Sequence, residues 1–252
     1  FQKDVALRIC CLIIALPMLS GFAVQTDNQL GVGAAKSQVP ATIAASCEQQ
    51  VAAPKVEVGL QEATVVESQQ YNIVELSELS KQFNNTHVDE GEVLGLTFFN
   101  YGYELELSFP NVVSATSEII CVRPHFNLRV ISQEHTVHIA KEHKPKSCEY
   151  NTIHRHEYRH VNINETLLRQ LVSTLAAEFQ SKFGNEIYYG TSDSIKKSIK
   201  IDKEEKWLPF IRAMLEQQNS LADEQHEQVD TLEEYRKFSY VCSFKYRYIT
   251  DE

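Results

Sequence analysis

"NTIHRHEYRHVNINETLLRQLVSTLAAEFQSKF", residues 151–183, sets the reading of the whole chain. Ile153, His156, His160, Ile163, Leu167, Leu171, Leu175 and Phe179 recur at spacings of three and four. That period predicts a long helix with one buried face. Gly184 follows as its expected stop. Downstream, Trp207, Phe210, Ile211, Met214, Leu215, Ala222 and Val229 repeat the period, which predicts a second helix over 202–229. In "DTLEEY", Asp230 and Glu233 have the spacing of a capping box and predict a last short helix. If the two long helices fold back about a turn near Ser192, residues near 160 face residues near 224.

Upstream the period drops to two. Tyr103, Leu105, Leu107 and Phe109 alternate with Glu104, Glu106 and Ser108, the pattern of a half-buried strand. "EATVVESQQYNIVEL" is rich in β-branched residues, and "EIICVRPHFNLRVIS" and "HTVHIAKEH" read as two strands joined near Gln133. Strands first and helices second predict an α+β fold: an N-terminal antiparallel sheet packed on a C-terminal helical hairpin.

The first helix holds H-E-x-x-H at His156, Glu157 and His160. Residues four apart on a helix project from one face, so two imidazoles can reach one Zn²⁺ at about 2.0–2.1 Å. Glu157, next to His156, is the candidate general base for water attacking a carbonyl, with the proton passing on to the leaving amine. The motif gives no third ligand. Under the hairpin geometry His226 is the first choice, on the stripe of Ala222 and Val229. Asp193 in "GTSD" is the second, and Glu224 and Glu227 are weaker options. His154 points to another face. His125, His135, His138 and His143 read as surface residues of strand edges and turns.

"CEYNTIHRHEYRHVNINETLL" resembles the core of a bacterial family of predicted secreted zinc-dependent proteases, over about residues 112–183, with a looser echo in "VDTLEEYRKFSYVC". The resemblance implies a zincin-like metallopeptidase domain, with His156 and His160 as zinc ligands and Glu157 as catalytic acid/base. The glycine and third histidine of the metzincin signature are absent from "HEYRHVNINET".

The net charge of −10 argues against a general nucleic-acid binder, which needs a basic surface. "ICCLIIALPMLSGFA" after Lys3 and Arg8 reads as a secretory signal cut after Ala23, too short for a comfortable membrane span. The expected layout is a signal peptide over 1–23, a flexible linker over 24–60 and the metallopeptidase domain over 61–252. A secreted or periplasmic location follows, without stable membrane insertion. Four cysteines then remain, and an even count in an exported chain predicts two disulfides. Packing of the hairpin favours Cys148–Cys242 with Cys47–Cys121; Cys121–Cys148 is the alternative. Three functions stay open at this point: a zinc endopeptidase acting on peptides or proteins, a hydrolase of cell-wall peptides, and a non-catalytic periplasmic binding or assembly protein.

Overall fold

Two long strands, β4 (Gly95–Ser108) and β7 (His125–Ile139), pair antiparallel along their whole length and form the spine of the larger sheet. Their alternation sets the core. Tyr103, Leu105 and Leu107 lie opposite Val130, Leu128 and Phe126, and all six turn to one apolar cluster. Glu104 and Glu106 face outward and meet Arg129. The computed structural model describes residues 7–10, 40–82 and 92–242. The expected signal peptide and the linker up to residue 39 therefore lie largely outside the described residues. The exception is β1 (Leu7–Cys10), which pairs antiparallel with Phe98–Tyr101 of β4.

The expectation of a purely antiparallel sheet is corrected. β2 (Val56–Gln61) and β3 (Val66–Ser68) both run parallel to β7, giving a mixed sheet of order β1-β4-β7-β2 with β3 also on β7. A small second sheet joins β5 (Val112–Ser114), β6 (Ile120–Val122) and β8 (Tyr188–Gly190). The break expected near Gln133 is a bulge within one continuous strand. Asn100 lies opposite Glu134 while Tyr101 lies opposite Ser132, so Gln133 has no partner residue on β4.

Helix α3 (Cys148–Phe183) forms as its period requires, capped by Ser147, whose side chain accepts from the Tyr150 amide. Its buried stripe includes Leu167, Leu171, Leu175 and Phe179. Burial of each such side chain contributes about 1.5–3 kcal/mol. The second long helix starts earlier than expected. α4 (Ser192–Asp202) passes through a wide π turn at Lys203–Trp207 into α5 (Leu208–Val229). Pro209 lacks an amide hydrogen and would clash with the carbonyl one turn back, and the π turn directly before α5 accommodates it. Phe179 meets Phe210 and His160 meets His226, so α3 and α5 pack antiparallel, as the hairpin reading expects.

Other local readings change. The stretch taken as flexible linker contains α1 (Ala41–Gln50) and β2. Part of the "EATVVESQQYNIVEL" strand reading is helix α2 (Ile73–Lys81), started by a capping box between Asn72 and Glu75. Helix α6 (Leu232–Val241) is capped by Thr231, not Asp230. Cys47 bonds Cys121, tying α1 to the small sheet, and Cys148 bonds Cys242, tying the entry of α3 to the end of α6. These are the pairings that the sequence argument favours. Among the described residues no helix is long and apolar enough to cross a membrane.

Candidate metal centre

α3 aims His156 and His160 at the junction of α5 and α6, where Asp230 follows the last residue of α5. His156 Nε2 lies 3.0 Å from Asp230 Oδ1, His160 Nε2 lies 3.2 Å from the same oxygen, and the two Nε2 atoms are 3.3 Å apart. Three donor atoms thus form a near-equilateral triangle. Ligands bonded to zinc at about 2.0–2.1 Å in a tetrahedron stand about 3.3–3.4 Å from one another. The separations and the two-nitrogen, one-oxygen donor set both fit, and this buried group could hold a metal ion. The histidine side chains are 4% and 3% exposed while Asp230 is 19% exposed, so the carboxylate is the most exposed member of the group.

The surroundings hold the carboxylate charged. Burial opposes ionisation of Asp230. Hydrogen bonds from His156 and His160, and their charge, outweigh it and keep the carboxyl far below the usual range. Tyr235 of α6 donates its hydroxyl to Asp230 Oδ1 at 2.8 Å, and its ring packs on His156. On the other side of His160, Nδ1 lies 2.7 Å from Nδ1 of His226, whose Nε2 lies 2.9 Å from Asn164 Oδ1. Burial, and then the charge of His160, push His226 down to about 3.

Glu157 turns toward the sheet. It is 5% exposed, and its Oε2 accepts from the Thr97 hydroxyl at 2.7 Å. Gly95 explains how strand and helix come so close: a Cβ there would stand 2.6 Å from Glu157 Oε1 and 2.6 Å from Ile153 Cγ2. The glycine is needed for this approach of backbone to side chain.

Neither residue expected as third ligand belongs to this group. His226 is buried beside His160, but it meets the ring nitrogen that faces away from the triangle. Asp193, in the first turn of α4, is 97% exposed and pairs with Lys196. Asp230, which the capping-box spacing of "DTLEEY" assigns to the helix cap, is instead the third member of the buried group that could hold a metal ion. His154 lies outside the group, bonded to Glu67 and stacked on Tyr158. His135, His138 and His143 are not surface residues. They are 3%, 7% and 4% exposed, and His138 sits edge-on to Tyr71 and Phe98. Compared with known proteins, the chain matches no family model, no curated protein and no solved structure.

Proposed function

We propose that the protein is an exported zinc metallopeptidase that hydrolyses peptide bonds, with His156, His160 and Asp230 as ligands and Glu157 as general base. The observation that carries this reading is the buried triangle of donors with a glutamate directly after its first histidine. A site that only held metal would not need that glutamate. Bound zinc would acidify water and polarise a peptide carbonyl. With the metal in place, Glu157 would take a proton from the attacking water and deliver it to the leaving amine. The two disulfides support an exported location. The charge of −10 supports peptide and protein substrates over nucleic acid.

Elemental mass spectrometry of the purified chain is expected to find about one zinc per chain, lost in His156→Ala/His160→Ala. Glu157→Gln is expected to keep the zinc and lose hydrolysis of a mixed peptide library. A wild-type chain without zinc after zinc addition and removal of excess would sink the reading. One observation favours the second reading, a metal-holding binding or assembly protein: Thr97 already engages the Glu157 carboxylate. That reading expects zinc in both chains and hydrolysis in neither.

A further inference from the structure

The contact between the rings of His160 and His226 has a direction. Two imidazole nitrogens 2.7 Å apart form a hydrogen bond only if one carries a proton and the other does not. The partner at the far end decides which. His226 Nε2 faces Asn164 Oδ1 at 2.9 Å, and a carbonyl oxygen can only accept. Nε2 of His226 must therefore carry the proton. When His226 is neutral, its Nδ1 is bare and accepts from Nδ1–H of His160. With Nδ1 of His160 engaged there, Nε2 is the nitrogen presented to the triangle, where it donates to Asp230 Oδ1 at 3.2 Å and would release that proton on binding metal.

We propose that Asn164 and His226 are positioning residues that fix the tautomer and ring orientation of His160 toward the metal. This rests on the metal-site part of the reading above but not on peptide hydrolysis. The opposite direction would start from the amide nitrogen of Asn164 and place a proton on His226 Nδ1. Metal bound at His160 Nε2 leaves that ring's proton on Nδ1, so this direction would set two N–H groups against each other across the 2.7 Å contact. All three residues are buried, with Asn164 5%, His226 2% and His160 2% exposed, so water competes weakly for these bonds. They also come from two helices: His160 and Asn164 lie one turn apart on α3, and His226 reaches between them from α5. The antiparallel packing of the hairpin thus places the relay, and the relay ties metal binding to that packing. Outer hydrogen bonds to ligating histidines typically change metal affinity by about 10–100-fold when removed.

The test has two readouts. Long-range ¹⁵N–¹H spectra of the metal-free wild-type chain at neutral pH report which nitrogen of His226 is protonated. A proton on Nε2 is expected; a proton on Nδ1 overturns the relay. Zinc affinity is then measured by competition with a chromophoric chelator. His226→Leu is expected to bind zinc about 10–100-fold more weakly. His226→Gln is expected to recover most of the loss, because its amide oxygen can accept from His160 Nδ1–H while its amide nitrogen donates to Asn164. A merely structural role would not separate Gln from Leu in this way. Affinity unchanged in His226→Leu, or equally weak in both variants, overturns the proposal. If wild type binds no zinc, the metallopeptidase reading fails by itself, and the ¹⁵N spectrum still decides the direction of the relay. The spectrum needs no variant to fold.

Discussion

Tyr235 donates to the same carboxylate oxygen of Asp230 that faces both His156 and His160. One oxygen therefore joins three elements: α3 through the histidines, the end of α5 through the aspartate, and α6 through the tyrosine. Asp230→Ala should abolish stoichiometric zinc binding, because on the proposed reading it removes one of three ligands. Tyr235→Phe keeps the ring on His156 and deletes only the hydroxyl, so it should weaken binding by about tenfold, at the low end for an outer contact. Chelator competition on both variants checks this, and equal affinities for Tyr235→Phe and wild type would show that the hydroxyl does not hold the ligand.

The two disulfides should have different consequences. Cys148–Cys242 closes a separation of 94 residues and clamps α6 onto the entry of α3, the helix that carries the histidines. Arg159 and Glu234 add an ion pair between the same two helices. Cys47–Cys121 closes 74 residues but joins α1 to the small sheet, in a separate apolar cluster with Val51, Val113 and Tyr189. Each crosslink is expected to stabilise by about 2–4 kcal/mol. Cys148→Ser/Cys242→Ser should therefore lower both melting temperature and zinc affinity. Cys47→Ser/Cys121→Ser should lower the melting temperature alone. Equal effects on affinity would mean that α6 does not depend on its crosslink to hold Tyr235 in place.

Gly95→Ala tests the approach of β4 to α3. The added Cβ would meet Glu157 and Ile153 at distances that real contacts do not show, so the carboxylate or the helix must move. A destabilisation of about 1–3 kcal/mol is expected, as for overpacking in a closed core. Hydrolysis should fall more than zinc content, since Glu157 is displaced while the triangle is built elsewhere. Denaturant unfolding and elemental analysis separate the two; wild-type stability in Gly95→Ala would mean that the strand yields without cost.

What the sequence discloses follows from the range of the forces involved. His156, Glu157 and His160 are legible because helix geometry alone puts them together. The hairpin is legible because the apolar stripes of α3 and α5 can be buried only against each other and the sheet. Asp230 is not legible, because Asp230 and Thr231 are both good cap residues and sequence cannot tell which one is used. Thr231 takes the cap, which leaves the aspartate free to turn inward. Helix α2 could have been found: Asn72 and Glu75 have capping-box spacing, but the β-branched residues before them argued for strand. Helix α1 has a weak apolar stripe, and its one buried residue, Cys47, is fixed by a disulfide to a distant strand. The histidines of β7 were misplaced for a similar reason. Thr136 and His138 alternate with His135, Val137 and Ile139, which marks a strand, but only the packed structure shows that both of its faces are covered.

Those buried histidines give the protein a defined response to acid. Burial pushes His135, His138 and His143 below the usual histidine value, opposed only in part by nearby carboxylates, and His226 falls to about 3. In the unfolded chain each takes a proton near pH 6.5. Below that pH the unfolded state binds protons that the folded state refuses, so stability must fall as pH falls. Each uncompensated proton costs up to about 1.4 kcal/mol per pH unit. Two groups act in the opposite sense. Burial, and then Glu227, raise Asp223 to about 6, and burial raises Glu186. Their folded forms take protons first and recover some stability below about pH 6. Four histidines against two carboxyls leave a net loss. Thermal denaturation of the metal-free chain in chelator should therefore give a melting temperature that drops from pH 7.5 to 6 and again to 5. His135→Phe should flatten the first part of that slope. A melting temperature that stays level or rises across this interval would show that the histidines are protonated inside the fold.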